Sequence, residues 1–179
     1  MTTDNTVGAG GLWLAVLRVV AFIALVVTAY YLLPLDRSAT WAAVTLLIVG
    51  LILLIGLIAL QVRLIIRSPF PGLRAVEALA GTIPLFLALF ASTYFVMDRL
   101  APRSFGTPLT RTDALYFTVT VFSTVGFGDI TAKTETARLV VTGQMIADLL
   151  ILGVGIKVIL GAVTRGQRRR QDARGAQSG

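Results

Sequence analysis

Long apolar runs separated by short polar breaks are the dominant pattern of the chain. Residues 12–33 are apolar except for Arg18, and residues 41–60 carry no charge. Two further, mainly apolar runs cover residues 79–97 and 137–163. At a rise of about 1.5 Å per residue, roughly 20 apolar residues cross a hydrocarbon layer about 30 Å thick. The pattern therefore predicts four transmembrane helices.

A fifth apolar run, residues 114–122, is too short to span a bilayer and is rich in Thr. A segment of this length at membrane depth is typical of a re-entrant helix. Thr112 or Asp113 is expected to cap its N-terminus, because a side-chain oxygen there accepts hydrogen bonds from free backbone N–H groups. The predicted fold class is an all-α integral membrane protein with four transmembrane helices and one re-entrant helix.

Polar breaks divide the chain into segments. These are an N-terminal tail (1–11), a two-helix transmembrane hairpin (12–67), a cytoplasmic linker (68–78), a domain with outer, short and inner helices (79–163), and a basic cytoplasmic tail (164–179). The linker follows from the sequence Ser68-Pro69-Phe70-Pro71-Gly72, because proline interrupts helices. The tail is expected to be disordered.

The amino-acid composition indicates a membrane protein and excludes several kinds of functional site. Hydrophobic residues make up 56% of the chain and charged residues 14%, whereas about a quarter of the residues in a soluble domain are charged. The chain has no His and no Cys, which excludes disulfides, zinc sites built on Cys and His, and His general bases. The protein is therefore expected not to be an enzyme.

The net charge of +7 is explained by membrane topology. Basic residues lie at the ends of apolar runs, not on a polar face of the kind that binds nucleic acid. Arg63, Arg67, Arg74 and the basic run after Arg165 would share one side of the membrane with both termini, and the positive-inside rule makes that side the cytoplasm. We expect a multi-pass protein of the inner (plasma) membrane, whose basic run anchors the topology or contacts anionic lipid.

The segment between residues 124 and 129 carries the candidate chemistry. Gly126 and Gly128 alternate with larger residues and permit backbone conformations that side chains with a Cβ avoid. Successive carbonyl oxygens could then face one axis and replace the water around a dehydrating cation. One chain supplies one arc of such a ring, so a closed ring requires symmetry-related copies.

This segment resembles the selectivity filter of potassium channels, and residues 79–163 resemble their pore domain, with an outer helix, a pore helix, the filter and an inner helix. The resemblance implies a homotetramer in the lipid bilayer, with potassium as the permeant ion and no cofactor. The implied filter residues are Thr124, Val125, Gly126, Phe127, Gly128 and Asp129, with potassium bound at the first four. The implied pore-helix residues are Tyr116, Phe117, Thr120 and Ser123. The alternative is a glycine-rich turn between helices.

Two departures from the family pattern concern the filter. Phe127 stands where many members have Tyr, which removes a hydroxyl that could bond to the pore helix. The pore helix also lacks the paired Trp and the Glu of some bacterial members, so Asp129 is expected to lose its usual partners. Asp129 would either form an acidic ring at the pore mouth or brace the filter loop locally.

The last apolar run contains the candidate cavity and gate residues. Placing the ionisable side chain of Asp148 within a membrane costs free energy, so we expect it to face a cavity or to bond to the pore helix. The alternative is a hydrogen bond to Gln144, four residues earlier. Lys157 would lie on the opposite helix face and extend toward the headgroups. Gly153 and Gly155 serve as a hinge or as packing positions. The hydrophobic gate candidates are Leu152, Ile156 and Leu160.

The first two apolar runs lack the regular Arg spacing of a voltage sensor, so no strong voltage gating is expected from them. The short tail is also too small for a ligand-binding gating domain. A two-pore dimer is disfavoured because there is no second filter sequence. The alternatives are a weakly selective cation channel and, from a different class, an ion-coupled transporter or membrane enzyme that uses Asp148 to carry protons.

Overall fold

The computed structural model describes residues 6–32, 40–66 and 71–175, and this part of the chain is all-helical. The helices are α1 (Thr6–Leu32), α2 (Thr40–Ile66), α3 (Pro71–Leu100), α4 (Arg111–Phe122) and α5 (Glu135–Gly175). Two segments have the length and hydropathy to cross a membrane, Ala78–Leu100 in α3 and Glu135–Lys157 in α5. Shorter apolar segments, Leu17–Leu32 and Leu47–Gln61, lie in α1 and α2.

Three helix boundaries differ from those expected. Residues 6–11 of the predicted N-terminal tail belong to α1, which begins at Thr6. Residues 71–78 of the predicted linker belong to α3, which begins at Pro71; proline is favoured at the first position of a helix because its missing N–H has no partner there anyway. The disordered tail was also a wrong prediction as far as Gly175, where α5 ends. Its Arg, Gln and Ala residues favour a helix, and extending an existing helix avoids the free-energy cost of nucleation. The connection between the two helices of the predicted hairpin, residues 33–39, lies outside the described residues, as do residues 176–179.

The outer helix α3 is the centre of the packing, because it contacts each of the other four helices. Around it the core is aromatic. Tyr94 of α3, Phe105 of the following loop and Phe117 of α4 meet edge to face, with ring centroids 5.2–5.4 Å apart, a preferred geometry for aromatic pairs. This cluster fixes one side of α4 and thereby positions the segment that follows it.

Two hydrogen bonds donated by backbone N–H groups hold the loops on either side of α4. The backbone N–H of Leu109 donates to Oδ2 of Asp98 at 2.8 Å. The backbone N–H of Lys133 donates to the carbonyl of Ser104, also at 2.8 Å. The entry to α4 and the exit from residues 124–129 are therefore held against the same end of α3.

Candidate functional site

The short helix α4 begins with a capping box. The Thr110 hydroxyl accepts from the backbone N–H of Asp113 at 3.1 Å, and the Asp113 carboxylate accepts from the backbone N–H of Thr110 at 2.9 Å. Thr110 is therefore the N-cap, and not Thr112 or Asp113 as expected; Asp113 is the acidic partner three residues on. Hydrogen bonds from Thr110 lower the pKa of Asp113, which keeps a negative charge at the positive end of the helix.

The C-terminal end of α4 is joined directly to the candidate filter. The carbonyl of Thr120 accepts from the backbone N–H groups of Val125 and Gly126, at 3.1 and 3.2 Å. Ser123 is the C-cap of α4, and its hydroxyl donates to the same Thr120 carbonyl at 3.3 Å. A shift of the end of α4 would therefore move the start of the filter with it.

The backbone handedness alternates along the filter. φ is 59° at Thr124, 53° at Gly126 and 81° at Gly128, while Val125 and Phe127 have no positive φ. Such alternation turns successive peptide groups so that their carbonyl oxygens favour one side of the chain. Glycine adopts positive φ readily, but a β-branched residue such as Thr124 does so only at a cost of about 1–3 kcal/mol. This backbone is suited to presenting a row of oxygens.

The filter side chains are exposed in the single chain. Val125 is 56% exposed and Phe127 is 69% exposed. An added Cβ at Gly126 or Gly128 would meet no atom within 4 Å. Within one chain, backbone torsion and not lack of space is what favours glycine at these two positions.

Asp129 has a partner that the sequence did not suggest. The Tyr116 side chain of α4 hydrogen-bonds to the Asp129 carboxylate, so Asp129 has a partner on α4 that differs from the Trp and Glu of the family pattern. The Tyr116 ring also stacks on Phe127, with centroids 6.3 Å apart and planes at 7°. Tyr116 thus supplies a hydroxyl donor from the pore helix, although Phe127 itself lacks one. The signal available in the sequence was the phenol of Tyr116.

A buried polar chain connects three helices behind the filter. The hydroxyl of Tyr94 in α3 donates to Oε1 of Gln144 in α5 at 2.5 Å. Nε2 of Gln144 donates to the carbonyl of Thr118 in α4 at 3.2 Å and to Oδ2 of Asp148 at 3.3 Å. Gln144 is fully buried, and Asp148 is 2% exposed. In the single chain Asp148 therefore has the Gln144-bonded arrangement, without exposure toward a cavity, and its Oδ1 has no hydrogen-bond partner.

The remaining pore-helix and gate candidates fall into distinct environments. Phe117 is buried in the aromatic core, and the Thr120 hydroxyl bonds to the Phe117 carbonyl at 2.9 Å. Leu152 and Ile156 are exposed on α5, while the side chain of Leu160 lies outside the described residues.

The two candidate hinge glycines of α5 differ in their surroundings. A Cβ at Gly155 would touch Leu79 of α3 at 3.8 Å, which is a packing position, whereas one at Gly153 would meet open space. Lys157, two residues after Gly155, is exposed.

Comparison with known proteins concerns the same part of the chain. Residues 82–165 match the family model described as an ion channel. Over 97 residues the sequence is 33% identical to the voltage-gated potassium channel Kch of Escherichia coli (strain K12). The aligned residues make up 50% of this chain but only 22% of that relative. No solved structure matches. Residues 82–165 are therefore similar to an ion channel domain, and half of the chain is similar to part of a potassium channel.

Proposed function

We propose that the chain is one subunit of a potassium-selective channel that conducts passively. Potassium ions bind to the carbonyl oxygens of Thr124, Val125, Gly126 and Phe127 and to the hydroxyl of Thr124. The observation that carries this proposal is the alternating backbone, with positive φ at Thr124, Gly126 and Gly128. A row of carbonyl oxygens replaces the hydration shell of the ion.

A homotetramer completes the site. One chain provides one arc of oxygens, and fourfold symmetry closes the ring. Exposed apolar side chains in the filter and on α5 support this assembly, because neighbouring copies would cover them. On α5 these include Leu149 and Leu150, which are 67% and 68% exposed in the single chain.

The subunit is placed in the inner membrane with four spans, a re-entrant α4 and both termini in the cytoplasm. Arginines near the inner ends of α2 and α3 and in the last part of α5 support this orientation. Anionic lipid would meet the basic end of α5. α1 and α2 each contain a single Arg, Arg18 and Arg63, so they do not form a row of gating charges.

Potassium flux from liposomes tests the proposed filter. Gly126→Ala should abolish flux, because Ala disfavours the observed φ of 53° by about 1–2 kcal/mol in each of four subunits. Gly56→Ala is the matched control, since an added Cβ at Gly56 in α2 also meets no atom within 4 Å. The control should conduct like the wild type. Wild-type flux through Gly126→Ala would refute the filter assignment.

Flux measurements on the same liposomes distinguish the alternative functions. A weakly selective cation channel would pass sodium as readily as potassium. An ion-coupled transporter using Asp148 is favoured only by the unpartnered Oδ1 of that residue, and it predicts saturable flux coupled to pH. The contact of Asp148 with Gln144 supports a structural role instead.

A further inference from the structure

The end of α1 is bonded to the beginning of the pore helix α4. The Tyr30 hydroxyl donates to the carbonyl of Arg111 at 2.6 Å, and Nη1 of Arg111 donates to the carbonyl of Tyr30 at 2.7 Å and to that of Tyr31 at 3.2 Å. The hydroxyls of Tyr31 and Thr112 are 3.1 Å apart. We call these four residues the α1–α4 clamp. α1 lies outside the residues that match the ion channel model.

The chemistry of the clamp is reciprocal. The last carbonyls of a helix have no partner within it, and a guanidinium is well suited to satisfy them because it carries positive charge to the negative end of the helix dipole. Arg111 does this for α1, while Tyr30 returns a hydrogen bond to the first residue of α4. Two bonds in opposite directions fix both the distance and the rotation of the two helix ends.

The clamp also reaches α3. The guanidinium of Arg111 lies 5.1 Å from the centre of the Phe95 ring, within the range of a cation–π contact. Tyr30 is 2% exposed and Phe95 is 1% exposed, so the centre of this junction is buried. The contacts of Tyr31 with Arg111 and Thr112 lie at its exposed edge.

The far end of α4 transmits the position of the clamp to the filter. α4 has 12 residues, a rod about 18 Å long, and its Thr120 carbonyl holds the backbone of Val125 and Gly126. A functional site needs its groups within about 0.5 Å of the working geometry. A small tilt of α4 at the clamped end would therefore change the geometry of the filter.

We propose that α1 braces the pore helix and that Tyr30 and Arg111 are positioning residues for the filter. The N-terminal helix would thus stabilise the conducting conformation of the ion pathway without contacting an ion. This inference rests on the proposed potassium channel function and adds a role for α1 to it.

The test uses the 179-residue chain with Tyr30→Phe and Arg111→Gln. Tyr30→Phe should lower the equilibrium between conducting and collapsed filters about five-fold, the effect expected for one hydrogen bond. Arg111→Gln should lower it at least as much, because Arg111 donates two hydrogen bonds to α1. This appears as a faster decay of potassium current and a smaller rise in melting temperature when sodium is replaced by potassium. A purely structural role would lower the melting temperature equally in both salts.

Controls separate this inference from the function on which it rests. Arg99→Gln removes the same charge from a guanidinium that lies over the same Phe95 ring at 5.0 Å, and it should behave like the wild type. A wild-type protein without potassium-selective current would refute the proposed function. A selective wild type, with Tyr30→Phe unchanged in current decay and in its potassium-dependent melting, would overturn the bracing role alone. Tyr30→Phe alone is sufficient to test the bracing role of α1 if Arg111→Gln does not assemble.

Discussion

At the scale of single residues, some features of the candidate filter could be predicted from the sequence and others could not. Alternating glycines at 126 and 128 predicted an unusual backbone, because only glycine enters the left-handed region freely. Thr124 shares that region, and nothing in a β-branched side chain signals it. The Tyr116–Asp129 bond was missed because it joins residues on both sides of the filter loop, and only the folded backbone brings them together.

Tyr116→Phe tests the brace at the outer end of the filter. The substitution removes the hydroxyl bonded to Asp129 and retains the ring that stacks on Phe127. Loss of this hydrogen bond to a charged group should accelerate the decay of potassium current. Asp129→Ala in the Tyr116→Phe background should add little to this effect, since both changes remove the same bond. Fully additive effects would show that the two residues act separately.

The capping box of α4 predicts a specific sensitivity to acid. Because Thr110 lowers the pKa of Asp113 below its unfolded value of about 3.9, the carboxylate contributes stability above that value. This contribution is lost as the pH falls through the folded-state pKa. The stability of the wild type should therefore fall more steeply below about pH 4 than that of Asp113→Asn, measured by thermal unfolding across pH. Parallel acid profiles would argue against the capping role.

At the scale of secondary structure, hydrophobic runs located the helices but not all of their ends. The apolar runs correspond to α1, α2, α3 and α5, because burial in lipid or protein requires long stretches of apolar side chains. The start of α3 at Pro71 and the helical end of α5 depend on helix propensity and propagation, which a hydropathy pattern does not register. The Gln144–Asp148 spacing suggested a contact, but not the connection to Tyr94 and Thr118.

Gln144→Leu tests the polar connection among α3, α4 and α5. The change leaves the Tyr94 hydroxyl without its acceptor and the Thr118 carbonyl without its side-chain donor. A buried polar group without a partner costs about 1–3 kcal/mol, so the free energy of unfolding in detergent should fall by about 3 kcal/mol. Thr142→Val, an exposed position two residues earlier on α5, is the control. Equal stability of the two variants would contradict a structural role for Gln144.

At the scale of the whole molecule, the proposed pore requires several copies of the chain. The exposed apolar surface of the single chain extends over α1, α2 and α5, which lipid and neighbouring subunits would cover. Composition and the positive-inside rule indicated a membrane protein from the sequence alone. The position of α1 against α4 could not be predicted in this way, because it depends on contacts between residues some 81 positions apart.

The reversal potential of the reconstituted channel, with potassium on one side of a planar bilayer and sodium on the other, tests the central claim most directly. A selective ring of carbonyl oxygens predicts a reversal potential close to the limit for potassium alone. A reversal potential near zero would contradict the claim, because it would show that sodium passes the same pathway as readily as potassium.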